Sequence, residues 1–173
     1  MTVKDRFTEQ EWHDLIRAPM LASFAITAAD PGGLWSTVRE ASATAGALRD
    51  ARGEESLAGE IVAEYETSDG RGIARDGVTD LIRDRSPGDA TDEAVAVLGR
   101  IAESVERRAP EQMADFRNWI RETARRVAEA GTEGGILGLG GERVSDRERQ
   151  ALADIDAVLD QSDTPLDDGP IPV

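Results

Sequence analysis

Residues 113–131 read MADFRNWIRETARRVAEAG. Met113, Phe116, Ile120, Ala124 and Val127 recur in this stretch at steps of three and four, the spacing that places side chains on one face of an α-helix. Valine, isoleucine and the aromatic residues nowhere gather into the alternation that a half-buried strand needs. Pro110, which has no amide hydrogen to lose, suits the first turn of this helix, and Gly131 suits its C-terminal end. Immediately upstream, Val95, Leu98, Ile101, Ala102 and Val105 repeat the pattern and predict a fifth helix, lying between the Ser86-Pro87-Gly88 break and Pro110. Downstream, Ser145 and Glu148 form a capping box, in which each side chain satisfies an orphan amide at a helix start. The helix they open turns Leu152, Ile155, Val158 and Leu159 inward.

The N-terminal half reads the same way. Thr8 and Glu11 form another capping box, followed by an apolar stripe of Trp12, Leu15, Ile16, Met20, Leu21 and Phe24. Pro19 lies inside this stripe and predicts a kink or break near Ala18. After the turn at Asp30-Pro31-Gly32-Gly33, a second helix is expected over Leu34 to Ala51 and a third over Glu55 to Glu66. The glycines and aspartates from Ser68 to Gly77 predict a loop, followed by a short fourth helix using Val78, Leu81 and Ile82. The fold class expected is all-α: one compact bundle of six to seven helices over residues 1–160, with a disordered acidic tail at 161–173. With seven aromatic residues and many alanines, its helices should approach closely.

Composition narrows the functions available. Thirty-five acidic residues against twenty basic ones give a formal charge of −15, which removes an electrostatic grip on nucleic acid or anionic lipid. The absence of cysteine removes disulfides, thiolate metal sites and cysteine nucleophiles, and a single histidine, His13, removes triads and multi-histidine centres. No apolar run reaches the ~18 residues of a membrane span, and Met1 to Glu9 has no signal-peptide core. The expectation is a soluble protein of the cytoplasm. Lys4 is the only lysine among the twenty basic residues. An acid-rich, lysine-poor surface suits concentrated salt, where self-repulsion is screened within a few ångström. A GC-rich genome would also favour arginine over lysine, without accounting for the acidic excess.

The constellations that carry chemistry are mostly incomplete. The run Gly134-Gly135-Ile136-Leu137-Gly138-Leu139-Gly140-Gly141 follows a helix instead of a strand and has no lysine nearby, so it does not fit a phosphate-cradling loop. Its apolar residues either plug the end of the bundle or form a docking surface. A faint internal echo pairs Ala28, Gly32, Gly33, Leu34, Trp35 and Glu40 with Ala130, Gly134, Gly135, Ile136, Leu137 and Glu142; it reflects either a duplication or the ordinary use of glycine at helical turns. Glu60 with Glu64, and Glu103 with Glu106, lack the Glu-x-x-His partners of di-iron bundles. His13 reads as a surface residue, and Ser36, Ser42 and Ser145 have no base beside it. An enzyme is not expected.

The segment Gly141-Glu142-Arg143-Val144-Ser145-Asp146-Arg147-Glu148 and the helix after it resemble the TerB-like tellurite-resistance group over residues 133–159. The resemblance implies a helical bundle whose acidic residues hold a divalent cation, calcium or magnesium, in a stress response linked to membrane-associated complexes. Matched position by position, the implied ligands are Glu142 and Glu148, with Asp30 and Glu40 from the earlier loop. The aspartate usual before the loop glycine is replaced by Gly140. An EF-hand is not formed, because its twelfth position falls on Ala41 counted from Asp30 and on Val95 counted from Asp84.

Two functions follow. The first is a non-catalytic interaction or oligomerising module that docks a protein partner or a second copy through Trp35, Ile136, Leu137 and Leu139; the other is a TerB-like cation-binding stress protein. The charge pattern generates a direct expectation: the melting temperature rises between low and molar potassium chloride, and equal melting at both would refute adaptation to salt.

Overall fold

A computed structural model describes residues 2–29, 44–51, 53, 55–132 and 144–161. Among these the chain is an all-α bundle with no strand. Its helices are α1 (Glu9–Ala29), α2 (described over residues 44–50), α3 (Leu57–Glu64), α4 (Ser68–Ile82), α5 (Pro87–Arg108), α6 (Met113–Thr132) and α7 (Asp146–Asp160). Short 3₁₀ turns, Lys4–Arg6 and Pro110–Gln112, lead into α1 and α6. No helix among the described residues is long and apolar enough to cross a membrane.

α1 occupies the centre and packs against α3, α4, α5, α6 and α7. Leu15, Ile16, Ala18, Leu21, Ala22, Ala25 and Ile26 are each no more than 1% exposed. Around them α5 places Leu98, Ile101 and Val105, α6 places Phe116, Ile120 and Val127, and α7 places Ile155 and Leu159. Burial of each large aliphatic side chain contributes about 1.5–3 kcal/mol. Alanines at the crossings, Ala94, Ala102, Ala124 and Ala128 among them, let the backbones come close.

The helix starts follow the sequence. Thr8 Oγ1 accepts the Glu11 amide at 3.2 Å, while the Glu11 carboxylate accepts the Thr8 amide at 2.9 Å. Ser145 and Glu148 close the second box at 3.2 and 2.7 Å. Ser86 caps α5, with Pro87 in its first turn and Arg107 and Arg108 in its last, where cations complement the helix dipole.

Three expectations are corrected. Of the kink or break expected near Ala18, the break is absent: α1 runs from Glu9 to Ala29 with Pro19 buried inside it. α6 continues through Gly131 to Thr132. The largest correction is α4, which begins at Ser68 and takes in the stretch expected to be a loop. Thr67 starts it, its hydroxyl accepting the Gly70 amide at 2.9 Å. Two of its glycines mark close approach and not a turn. A Cβ on Gly70 would lie 2.2 Å from the Glu64 carbonyl oxygen, and one on Gly77 would lie 2.7 Å from the Arg17 side chain. The first half of the expected second helix, the glycine-rich loop and the acidic tail lie outside the described residues.

The α3–α4 corner sets a paired test. Gly70→Ala forces backbone against backbone and should cost about 1–3 kcal/mol, whereas Gly72→Ala, with nothing within 4 Å of the new methyl, should add up to about 1 kcal/mol. Denaturant unfolding of both variants measures the difference.

Candidate functional site

Where α1, α2 and α4 meet, the helices leave a cleft of about 560 Å³. α1 contributes Met20, Ser23, Phe24 and Thr27, and α2 contributes Thr44, Ala45 and Leu48. α4 contributes Arg71, Ala74, Arg75 and Val78, and Tyr65 closes the wall just after α3. On α1 and α4 these positions advance by three and four, so each helix presents one face to the same hollow. The volume lies within the roughly 300–1,000 Å³ of small-molecule sites, and the walls are mainly apolar, as such sites are.

The polar groups in the wall are bonded to the protein itself. Ser23 Oγ donates to the Pro19 carbonyl at 2.8 Å, and the Ser23 and Thr44 hydroxyls share a hydrogen bond of 2.7 Å. Thr27 Oγ1 donates to the Ser23 carbonyl at 2.9 Å, and Tyr65 Oη donates to the Ile16 carbonyl at 2.6 Å. Burial pushes the Tyr65 phenol well above its ordinary pKa, so it stays a neutral donor. Arg71 Nη1 donates to the Tyr65 and Glu66 carbonyls at 2.9 and 3.0 Å. The exposed Arg75 makes no ion pair among the described residues.

The residues singled out from sequence fall elsewhere. Asp30, Glu40, Glu142, Trp35, Ile136, Leu137 and Leu139 lie outside the described residues. Glu148 is described and buried, and its carboxylate accepts the Ser145 amide as the capping partner of α7. Among the described residues no three histidine or acidic side chains gather to hold a metal ion. Glu60 and Glu64 fasten the N-terminal segment to α3. The Glu60 carboxylate accepts the Val3 and Lys4 amides, both at 2.8 Å, and Glu64 accepts Lys4 Nζ at 2.6 Å and the Trp12 indole N–H at 2.9 Å. Lys4 Nζ also sits 5.3 Å from the Trp12 ring centroid, a cation–π distance. Burial alone would raise the Glu64 pKa, but hydrogen bonds from Lys4 and Trp12 outweigh it and hold the carboxyl below its ordinary value.

The cleft residues escaped the sequence because a third of them sit on α4. Once residues 68–82 are helical, Arg71, Ala74, Arg75 and Val78 show the i, i+3, i+4, i+7 pattern of a single face. Met20 and Phe24 were legible as part of the α1 stripe, but they are half-buried because the cleft opens beside them. Two smaller concavities are more polar. One, of about 330 Å³, lies beside Trp119 and Arg126; the other, of about 370 Å³, is lined by Glu11, Asp14, Arg17, Arg100 and Arg107. Asp14 already holds Arg17 at 3.0 Å there, and Glu93 holds Arg100 at 2.9 Å. Comparison with protein-family models, curated proteins and solved structures finds no match.

Glu11 links this second concavity to stability. The Thr8 amide, then the Thr8 hydroxyl and Arg108, lower its carboxyl to about 2 against the counter-effect of burial. A carboxyl depressed on folding stabilises above its unfolded pKa, and that contribution is lost as pH falls from about 4.5 towards 2. Glu11→Gln should therefore be less stable at neutral pH by about 1 kcal/mol, the worth of a helix cap. The gap to the parent should close through the acid range, and a pH series of unfolding curves measures it.

Proposed function

We propose that this chain is a non-catalytic binding module and that the cleft walled by α1, α2 and α4 receives its guest. The observation that supports the reading is an apolar hollow whose wall hydroxyls are already bonded to the protein. Apart from its two arginines, such a wall makes no polar demand on its occupant and gains by shedding water from apolar surface. Binding is then driven by burial, and the protein acts by association, as the sequence anticipates, in the saline cytoplasm its surface suits. The docking residues Trp35, Ile136, Leu137 and Leu139 belong to the same proposal but lie outside the described residues; the cleft is the described surface that serves it.

A neutral environment-sensitive dye, N-phenyl-1-naphthylamine, tests this. One molecule should bind per chain with a blue-shifted emission. Ala45→Trp, at an exposed position on the cleft wall, should weaken binding at least tenfold while leaving the helical circular dichroism unchanged. Binding that is absent, or indifferent to Ala45→Trp, would refute the cleft as the site.

A further inference from the structure

Resting on that reading of the cleft, we infer that its guest is a single-chain amphiphile with a carboxylate head, a fatty carboxylate, whose tail lies along the apolar wall and whose head meets Arg75 on α4.

The walls specify the tail. Met20, Phe24, Leu48, Ala74 and Val78 offer carbon, while the hydroxyls of Ser23 and Tyr65 face inward to backbone carbonyls. A guest carrying polar groups along its length would lose its own hydrogen bonds with water and find none here. The charges specify the head. Arg71 and Arg75 both line the cleft and stand four residues apart on α4. Like charges at that spacing repel, and an anion placed beside them removes the repulsion. Arg71 is already anchored to the Tyr65 and Glu66 carbonyls, whereas Arg75 has no ion pair among the described residues. Most arginines among the described residues are paired, Arg17 with Asp14, Arg100 with Glu93, Arg121 with Asp156 and Asp160, and Arg126 with Asp50 and Glu122 among them. An arginine without a carboxylate beside an apolar hollow, in a chain of charge −15, is a place where an incoming carboxylate completes a pairing used elsewhere on the surface.

Titration calorimetry below the micellar range, with decanoate, dodecanoate, dodecanol and dodecyltrimethylammonium, tests the inference. One dodecanoate should bind per chain, about fifteenfold tighter than decanoate for its two extra methylenes. Dodecanoate should also bind at least threefold tighter than dodecyltrimethylammonium, against the preference that net charge alone would impose. Arg75→Gln should weaken dodecanoate about threefold to fivefold, the range of an exposed ion pair, and leave dodecanol within twofold. Ala45→Trp should weaken both chains. Equal affinity for the anionic and cationic amphiphiles, or indifference of dodecanoate to Arg75→Gln, overturns the carboxylate head while the cleft stands as a binding site. If the neutral dye binds and none of the amphiphiles does, the fatty guest is overturned but the binding module is not. If neither dye nor amphiphile binds, both fall. Sedimentation showing a dimer that Ala45→Trp dissociates assigns the cleft to a second copy and likewise overturns the inference.

Discussion

A helix packed against by five others has little side left for water, and α1 meets this constraint with leucine, isoleucine and alanine on most of its surface beyond the first turns. The surrounding helices inherit their patterns from it. α5, α6 and α7 each carry one apolar stripe, which packs on α1 and on the helices beside it while the opposite face meets solvent. The polar groups that α1 does carry inward are absorbed locally: Ser23 bonds back to Pro19, and Thr27 bonds back to Ser23. The centre closes less fully around Met20 and Phe24, and there the cleft opens. Fold and candidate site thus come from one cause, the close packing of other helices on the apolar faces of α1 and their looser packing beside α2 and α4.

Legibility of the sequence followed the strength of these stripes. α5, α6 and α7 were readable because a single inward face leaves a regular mark, and their starts were readable because Ser86, Pro110 and Ser145 have few other uses. α4 was obscured because its glycines are required by tertiary contacts: Gly70 faces the Glu64 carbonyl across the α3–α4 corner, and Gly77 faces Arg17, far away in sequence. A local rule that reads glycine as a turn has no access to such contacts. The cleft was hidden for the same reason, together with the Ser23–Thr44 hydroxyl pair, whose partners lie 21 residues apart. Spacing revealed Glu60 and Glu64 as a pair but not their task, since the amides and the lysine they hold come from the other end of a long loop closure.

The arginine excess has a structural use. Arg121 spans Asp156 at 2.8 Å and Asp160 at 2.5 Å, tying α6 to α7, and Arg126 spans Glu122 on its own helix and Asp50 at the end of α2. A planar guanidinium can address two carboxylates in fixed directions, which a lysine ammonium does less well. Individually such exposed pairs contribute little. Distributed around a bundle rich in alanine, they fix which helix lies beside which, where small side chains alone would tolerate sliding.

The exception is Lys4. Its ammonium is engaged by the Glu64 carboxylate and lies against the Trp12 ring, and its backbone amide is held by Glu60. It is also the chain's single side-chain amine of the lysine type. Acylation, reductive methylation or an amine-directed cross-linker therefore has one lysine to reach, beside any terminal amine, and the rate of reaction at Lys4 becomes a clock for how often the N-terminal segment lifts from α3. The chain's one lysine thereby reports on a single, defined fastening.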